Sequence, residues 1–206
     1  MLMIKTKNYI PMKKLTLIIA IALTAYVLQG CNNAPKDAKA TADSLNKSKD
    51  TTTIAAATGG IAVNSDDAAF ATAAANGGMA EVALGKLAQE KSTNAQIKSF
   101  GAMMVADHGK ANGELMAIAK TKNITLPSTV DADHQKKMDD LSQKTGADFD
   151  KAYVDAMIDG HKKTLDLMQK EAKDGTDADL KAFAAKTAPT VQTHLDAINK
   201  IHDSMK

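Results

Sequence analysis

The sequence has no tryptophan, no arginine and one cysteine, and aromatic residues make up 3% of its 206 positions. A lone cysteine excludes an internal disulfide framework. Without arginine, all 26 basic side chains are lysine, and the chain lacks the planar forks that read phosphates and bases two bonds at a time. The scarcity of aromatics also removes the stacking platforms of single-strand binders. From Asp66 onward 18 lysines face 21 acidic residues, so the basic excess belongs to the N-terminal part and the rest is mildly acidic. Nucleic acid is therefore excluded as a partner. There is no Gly-x-Ser-x-Gly, no phosphate loop and no cysteine placed for catalysis, which leaves hydrolase chemistry without its usual parts. No alternating period-two pattern marks a strand.

What is present begins with an address. Lys5, Lys7, Lys13 and Lys14 precede an apolar run from Leu15 to Val27, which ends in Leu28-Gln29-Gly30-Cys31. A positive segment, a short apolar stretch and small residues describe an export signal over residues 1–30. The run is too short to span a bilayer comfortably as a mature helix. Its ending resembles the bacterial lipobox, which implies cleavage before Cys31, lipidation of its sulfur, and a membrane partner held through that lipid. Localisation is then the cell envelope, with the outer membrane as the expected site. Met12-Lys13-Lys14 is itself a good signal start. Residues 31–64, rich in Ala, Thr, Lys, Asp and Ser, offer too little apolar surface to fold and read as the lipidated cysteine followed by a flexible tether. Residues 65–206 are long enough for one compact domain.

That domain carries four amphipathic helical stretches. The first spans Asp66 to Lys91, capped by Asn64 or Ser65, with Asp66 and Asp67 at the positive end of the helix dipole. Thr93-Asn94-Ala95-Gln96 reads as a capping box, so a very short turn joins the first helix to an antiparallel second. Leu126-Pro127-Ser128 breaks the pattern, and a short helix follows near Asp131 to Ser142. Thr145-Gly146-Ala147-Asp148 opens the third long helix, Gly175 stops it, and Thr176-Asp177-Ala178-Asp179 starts the fourth. Two tight hairpins joined by a longer connection predict an all-α, ferritin-like four-helix bundle with a short extra helix in the connection. Alanine, leucine, isoleucine and methionine supply its core, with the methionines as filler.

Each long helix places one ionisable residue on its apolar stripe: Glu81, His108, His161 and His194. At roughly 1.5 Å rise per residue, all four fall within a layer about one helical turn thick. Burial of such groups without partners is costly, so four together ask for a shared explanation. A carboxylate and three imidazoles suit one transition-metal ion, Fe, Mn, Zn or Cu. The competing explanation is a metal-free polar network with Glu81 paired to a histidine. Asp107 and Asp159 become outer acceptors only if the backbone turns them inward. Glycines flank the stripe positions, and Pro189, one turn before His194, frees the carbonyl of Ala185 and offers a kink. His134 and His202 are expected at the surface, without a role.

Glu81 through Ala88, Met104-Val105-Ala106-Asp107-His108, Tyr153-Val154-Asp155-Ala156-Met157 with Asp159-Gly160-His161, and Phe183-Ala184 through Pro189 to His194-Leu195 occur in that order. Together they resemble the domain of unknown function 4142 family over residues 66–203. The resemblance implies an exported, often lipid-anchored bacterial protein with a ferritin-like bundle, and no established reaction. Unlike di-iron ferritins, the chain has no Glu-x-x-His, so a one-metal or metal-free site is expected. The leading expectation is a lipid-anchored envelope protein in metal handling or oxidative-stress protection. The alternative is a non-catalytic interaction module with an unidentified protein partner. Catalysis, if present, would be metal-dependent redox chemistry, the ligand set being similar to that of manganese and iron superoxide dismutases.

Overall fold

The computed structural model describes residues 37–49 and 63–206. The signal segment, Cys31, and residues 32–36 and 50–62 of the expected tether lie outside the described residues. Six helices appear among the described residues: α1 (Ala38–Lys49), α2 (Ser65–Lys91), α3 (Ala95–Thr121), α4 (Ala132–Ser142), α5 (Gly146–Asp174) and α6 (Ala178–Ser204). The fold is all-α, with the long helices packed in antiparallel pairs, α2 on α3 and α5 on α6. None of these helices is long and apolar enough to cross a membrane.

Side-chain caps set the boundaries. Asn64 accepts from the Asp67 amide. Asn94, rather than Thr93, caps α3 by accepting from Gln96 and Ile97, and Asp177, rather than Thr176, caps α6 through Asp179 and Leu180. Each cap satisfies helix N–H groups that have no partner within the helix. Thr176 is used differently. Its amide and hydroxyl, with the Asp177 amide, donate to the buried Asp67 carboxylate at 2.7–3.1 Å. This ties the start of α2 to the α5–α6 turn. At the opposite end the Ser92 hydroxyl donates to Asp150 at 2.6 Å, tying the α2–α3 turn to the start of α5. Hence α2 and α5 are antiparallel neighbours.

The connection between hairpins runs the length of α2. Ile124 packs in the apolar cluster around Phe70 and Ala71, Asn76 exchanges hydrogen bonds with Asp131 (2.6 and 2.8 Å), and the Lys91 ammonium donates to the Ser142 carbonyl. It delivers the chain to the end of the bundle where α3 began.

The core divides into two apolar clusters. One gathers Leu84, Ile97, Phe100, Met104, Phe149, Tyr153 and Ile198, and the other Phe70, Leu115, Ile124, Met168, Leu180 and Phe183. Burying each large side chain contributes about 1.5–3 kcal/mol. Buried Met104 and Met168 serve as filler, as their stripe positions imply, and Met157, off the expected stripe, is buried with them. Helices α2 and α3 approach closely at Gly85 and Gly101, where a Cβ on either would stand 2.6 Å from the other's carbonyl oxygen.

Helix α1 departs from the sequence reading, which placed these residues in a flexible tether. Ala42 and Asn46 are buried. Asn46 donates to the Thr125 carbonyl at 2.9 Å and accepts from the Thr125 amide at 2.7 Å, Asp43 accepts from Thr72, and Asp37 accepts from the Ala132 amide at 2.8 Å. The helix docks through polar side chains whose partners lie far along the chain. A segment held this way shows no apolar stripe for periodicity to detect.

Candidate metal centre

Between the two apolar clusters lies a polar layer with one residue from each long helix: Glu81 from α2, His108 from α3, His161 from α5 and His194 from α6. All four are buried, at 4, 5, 0 and 1% exposure respectively. Their stripe positions put them there, as the layer argument from helical rise requires. The three imidazoles form a near-equilateral group, with ring centroids 5.1, 5.5 and 5.6 Å apart. The edge of the set is closed by Phe100, whose ring meets His161 at 5.8 Å and His194 at 6.4 Å.

Each ring has one nitrogen committed to an outer partner. His161 Nδ1 lies 2.8 Å from the Met157 carbonyl, one turn back. His194 Nε2 lies 2.9 Å from Asp107 Oδ2. His108 Nδ1 is 2.9 Å from Glu81 Oε2, a close contact without the alignment of a hydrogen bond. A carbonyl can only accept, and an ionised carboxylate likewise. The two hydrogen bonds therefore assign the proton to Nδ1 of His161 and to Nε2 of His194. The remaining nitrogens, His108 Nε2, His161 Nε2 and His194 Nδ1, are buried and have no hydrogen-bond partner. One ligand atom from each of the three histidines lies within 4.8 Å of the others.

Electrostatics favours the ligand form of the rings. Burial lowers the His161 pKa, against the opposing charge of Glu81. Burial also lowers that of His194, against the Asp107 hydrogen bond. Both rings are neutral at neutral pH, with lone pairs free to coordinate. For Glu81 burial raises the carboxyl, but the adjoining charge and contact of His108 outweigh it and the net shift is downward. Glu81 therefore remains an anion inside the bundle.

The grouping refines the four-residue set read from sequence. His108, His161 and His194 converge, whereas Glu81 stands behind His108, with Oε1 accepting from Thr164 at 3.2 Å and 3.9 Å from His161 Nδ1. Asp107 turns inward, though toward His194 on the opposite helix rather than its neighbour His108. Asp159 is exposed. Thr164 was legible in principle, since three residues after His161 it shares that ring's helical face. The roles of the Met157 carbonyl and of Asp107 left no signal in spacing. Pro189 sits in a continuous α6, and Ala185, one turn before it, is exposed. His134, expected at the surface, is half-buried; its Nδ1 lies 2.7 Å from Asp131, and the pair fastens α4 to Asn76 of α2.

Three imidazoles with two carboxylates behind them match a divalent ion: imidazole suits first-row metals, and Glu81 and Asp107 balance two positive charges. Imidazole nitrogens at about 2.1 Å from one ion stand closer together than 4.8 Å, so loading would draw the rings inward. A family model described as Domain of unknown function (DUF4142) matches residues 50–201. No curated protein and no solved structure matches the chain.

Proposed function

The chain belongs to the DUF4142 family, and we propose that its bundle, ferritin-like in plan, holds a single transition-metal ion on His108, His161 and His194. The observation that carries this reading is the trio of bare, buried imidazole nitrogens. An unpartnered buried polar atom costs about 1–3 kcal/mol, and three on one cluster of adjoining rings are explained together by one ion. Iron, manganese, zinc and copper all accept imidazole. The supporting carboxylates resemble the outer acceptors that orient metal-bound histidines. The Glu81–His108 contact alone would also suit a metal-free polar core, but it leaves the three nitrogens unexplained.

The role that fits is metal handling or protection from oxidative stress in the bacterial envelope, with the domain anchored through lipid on Cys31. Binding rather than turnover is the proposed activity. A catalytic version would be metal-dependent redox chemistry on peroxide or superoxide.

Elemental analysis of the full chain, purified untagged and without chelator, tests the reading. Near-stoichiometric metal in the parent is expected, with its loss in both His108→Ala and His161→Ala while the helical circular dichroism signal survives. No bound metal after loading with each of the four ions would overturn it in favour of the polar core.

A further inference from the structure

Two openings reach the polar layer from opposite sides. A cleft of about 270 Å³ between α2, α4 and α5 ends on Glu81 and Thr164, and none of the three converging histidines lines it. A smaller cleft of about 110 Å³ between α3 and α6 is walled by His108 and His194 themselves. It opens along a seam between hairpins, where packing is sparser than within either hairpin. At its mouth Asp107 has 44% of its side chain exposed while holding His194 Nε2 at 2.9 Å. One carboxylate thus touches both water and a ligand ring. Beside it the Lys186 ammonium bonds both oxygens of Glu114, at 2.8 and 2.9 Å, bridging α3 to α6.

Resting on the metal reading above, we infer that the α3–α6 cleft is the loading portal for a divalent cation, with Asp107 as the capture group and the Glu114–Lys186 pair as a latch across the mouth. The local charges explain the latch. Asp107 and Glu114 attract a cation, but Lys110 and Lys186 cancel them, so the resting mouth has little field to steer an ion inward. When the Lys186–Glu114 bridge parts, Glu114 joins Asp107 as a second acidic group facing the cleft. Because the bridge is solvent-exposed, it is weak enough to open readily. The opposite cleft delivers a cation to Glu81 behind the His108 ring, on the side of Nδ1 rather than the bare Nε2. Only the α3–α6 cleft is walled by two of the three converging histidines.

Stopped-flow loading of the metal-free full chain with cobalt(II), followed by its visible absorption band, tests the portal. Thr190→Trp places a bulky ring at the exposed rim of the α3–α6 cleft, and Lys163→Trp does the same at the other. Thr190→Trp is expected to slow loading roughly tenfold and Lys186→Ala to speed it about threefold, with band position and final amplitude as in the parent. Lys163→Trp should load at the parental rate. If Thr190→Trp disturbs the fold and alters the band, Lys186→Ala decides alone, and an unchanged rate there overturns the portal. Slowing by Lys163→Trp in place of Thr190→Trp overturns it too. A parent with no cobalt band at all overturns the metal reading itself, whereas a normal band with equal rates in every variant overturns only the portal.

Discussion

Replacing His161 with leucine should make the metal-free protein more stable. His161 is fully buried, and its Nε2 has no partner. Removing that unpaired nitrogen recovers about 1–3 kcal/mol, and the apolar side chain adds roughly 2 kcal/mol of transfer free energy. Against this, the ring-edge contact with Phe100 is worth about 0.5–1.5 kcal/mol. The bond from Nδ1 to Met157 is worth about 1 kcal/mol. The Met157 carbonyl is not orphaned, because it also accepts the helical bond from the His161 amide. With about 1 kcal/mol charged to imperfect shape, the balance is a gain of roughly 1 kcal/mol. For a domain of this size that raises the melting temperature by about 2–4 °C. Metal at one hundred times its Kd stabilises the parent by about 2.7 kcal/mol, or roughly 8 °C. The expected order of thermal melts is metal-free parent, then His161→Leu, then loaded parent, with added metal moving only the parent. A His161→Leu melt below that of the metal-free parent would refute the reasoning, because the imidazole would then be stabilising without an ion.

Glycine positions separate close packing from mere helix weakness: Gly85→Ala forces a Cβ against the Gly101 carbonyl at 2.6 Å and Met104 at 2.9 Å, and should lose about 1–3 kcal/mol in urea denaturation. Gly113→Ala meets open space and should gain about 0.5–1 kcal/mol in the same assay. Glu171 is buried with Oε1 unpartnered; burial first, then the charges of Asp67 and Asp177, push its pKa up to about 7. Because the folded value lies above the ordinary 4.5, its contribution is fully present below that pH and is lost as pH rises through about 7. Glu171→Gln should remove this decline, so that the variant melts above the parent at pH 8 and the two converge at low pH.

Helix positions were legible because each long helix repeats its apolar residues at helical spacing and begins on a capping side chain. The caps themselves slipped by one residue at Asn94 and Asp177, where two neighbouring residues are both good caps and only tertiary contacts choose. Thr176 is taken by Asp67, leaving Asp177 to cap α6, while at α3 the Asn94 side chain accepts from both Gln96 and Ile97. The polar layer was legible from depth, since rise per residue fixes height along a rigid helix. Which of its members converge was not, because that depends on side-chain rotamers and on partners across helices. Glu81 was indistinguishable by position from the histidines, yet its carboxylate turns to His108 and Thr164. Asp107 sits off the stripe, and its reach to His194 depends on the sparse seam between α3 and α6.

The docking of α1 carries an implication for the order of assembly. Its three polar anchors engage Thr72 on α2, Thr125 in the connection and Ala132 at the start of α4. No single element offers a binding surface for α1; the surface exists only after the crossover has been laid along α2. Contacts that close such long loops are the slow ones to form. Although synthesised before every other described helix, α1 therefore docks late, and its docking reports that the crossover has been laid along α2.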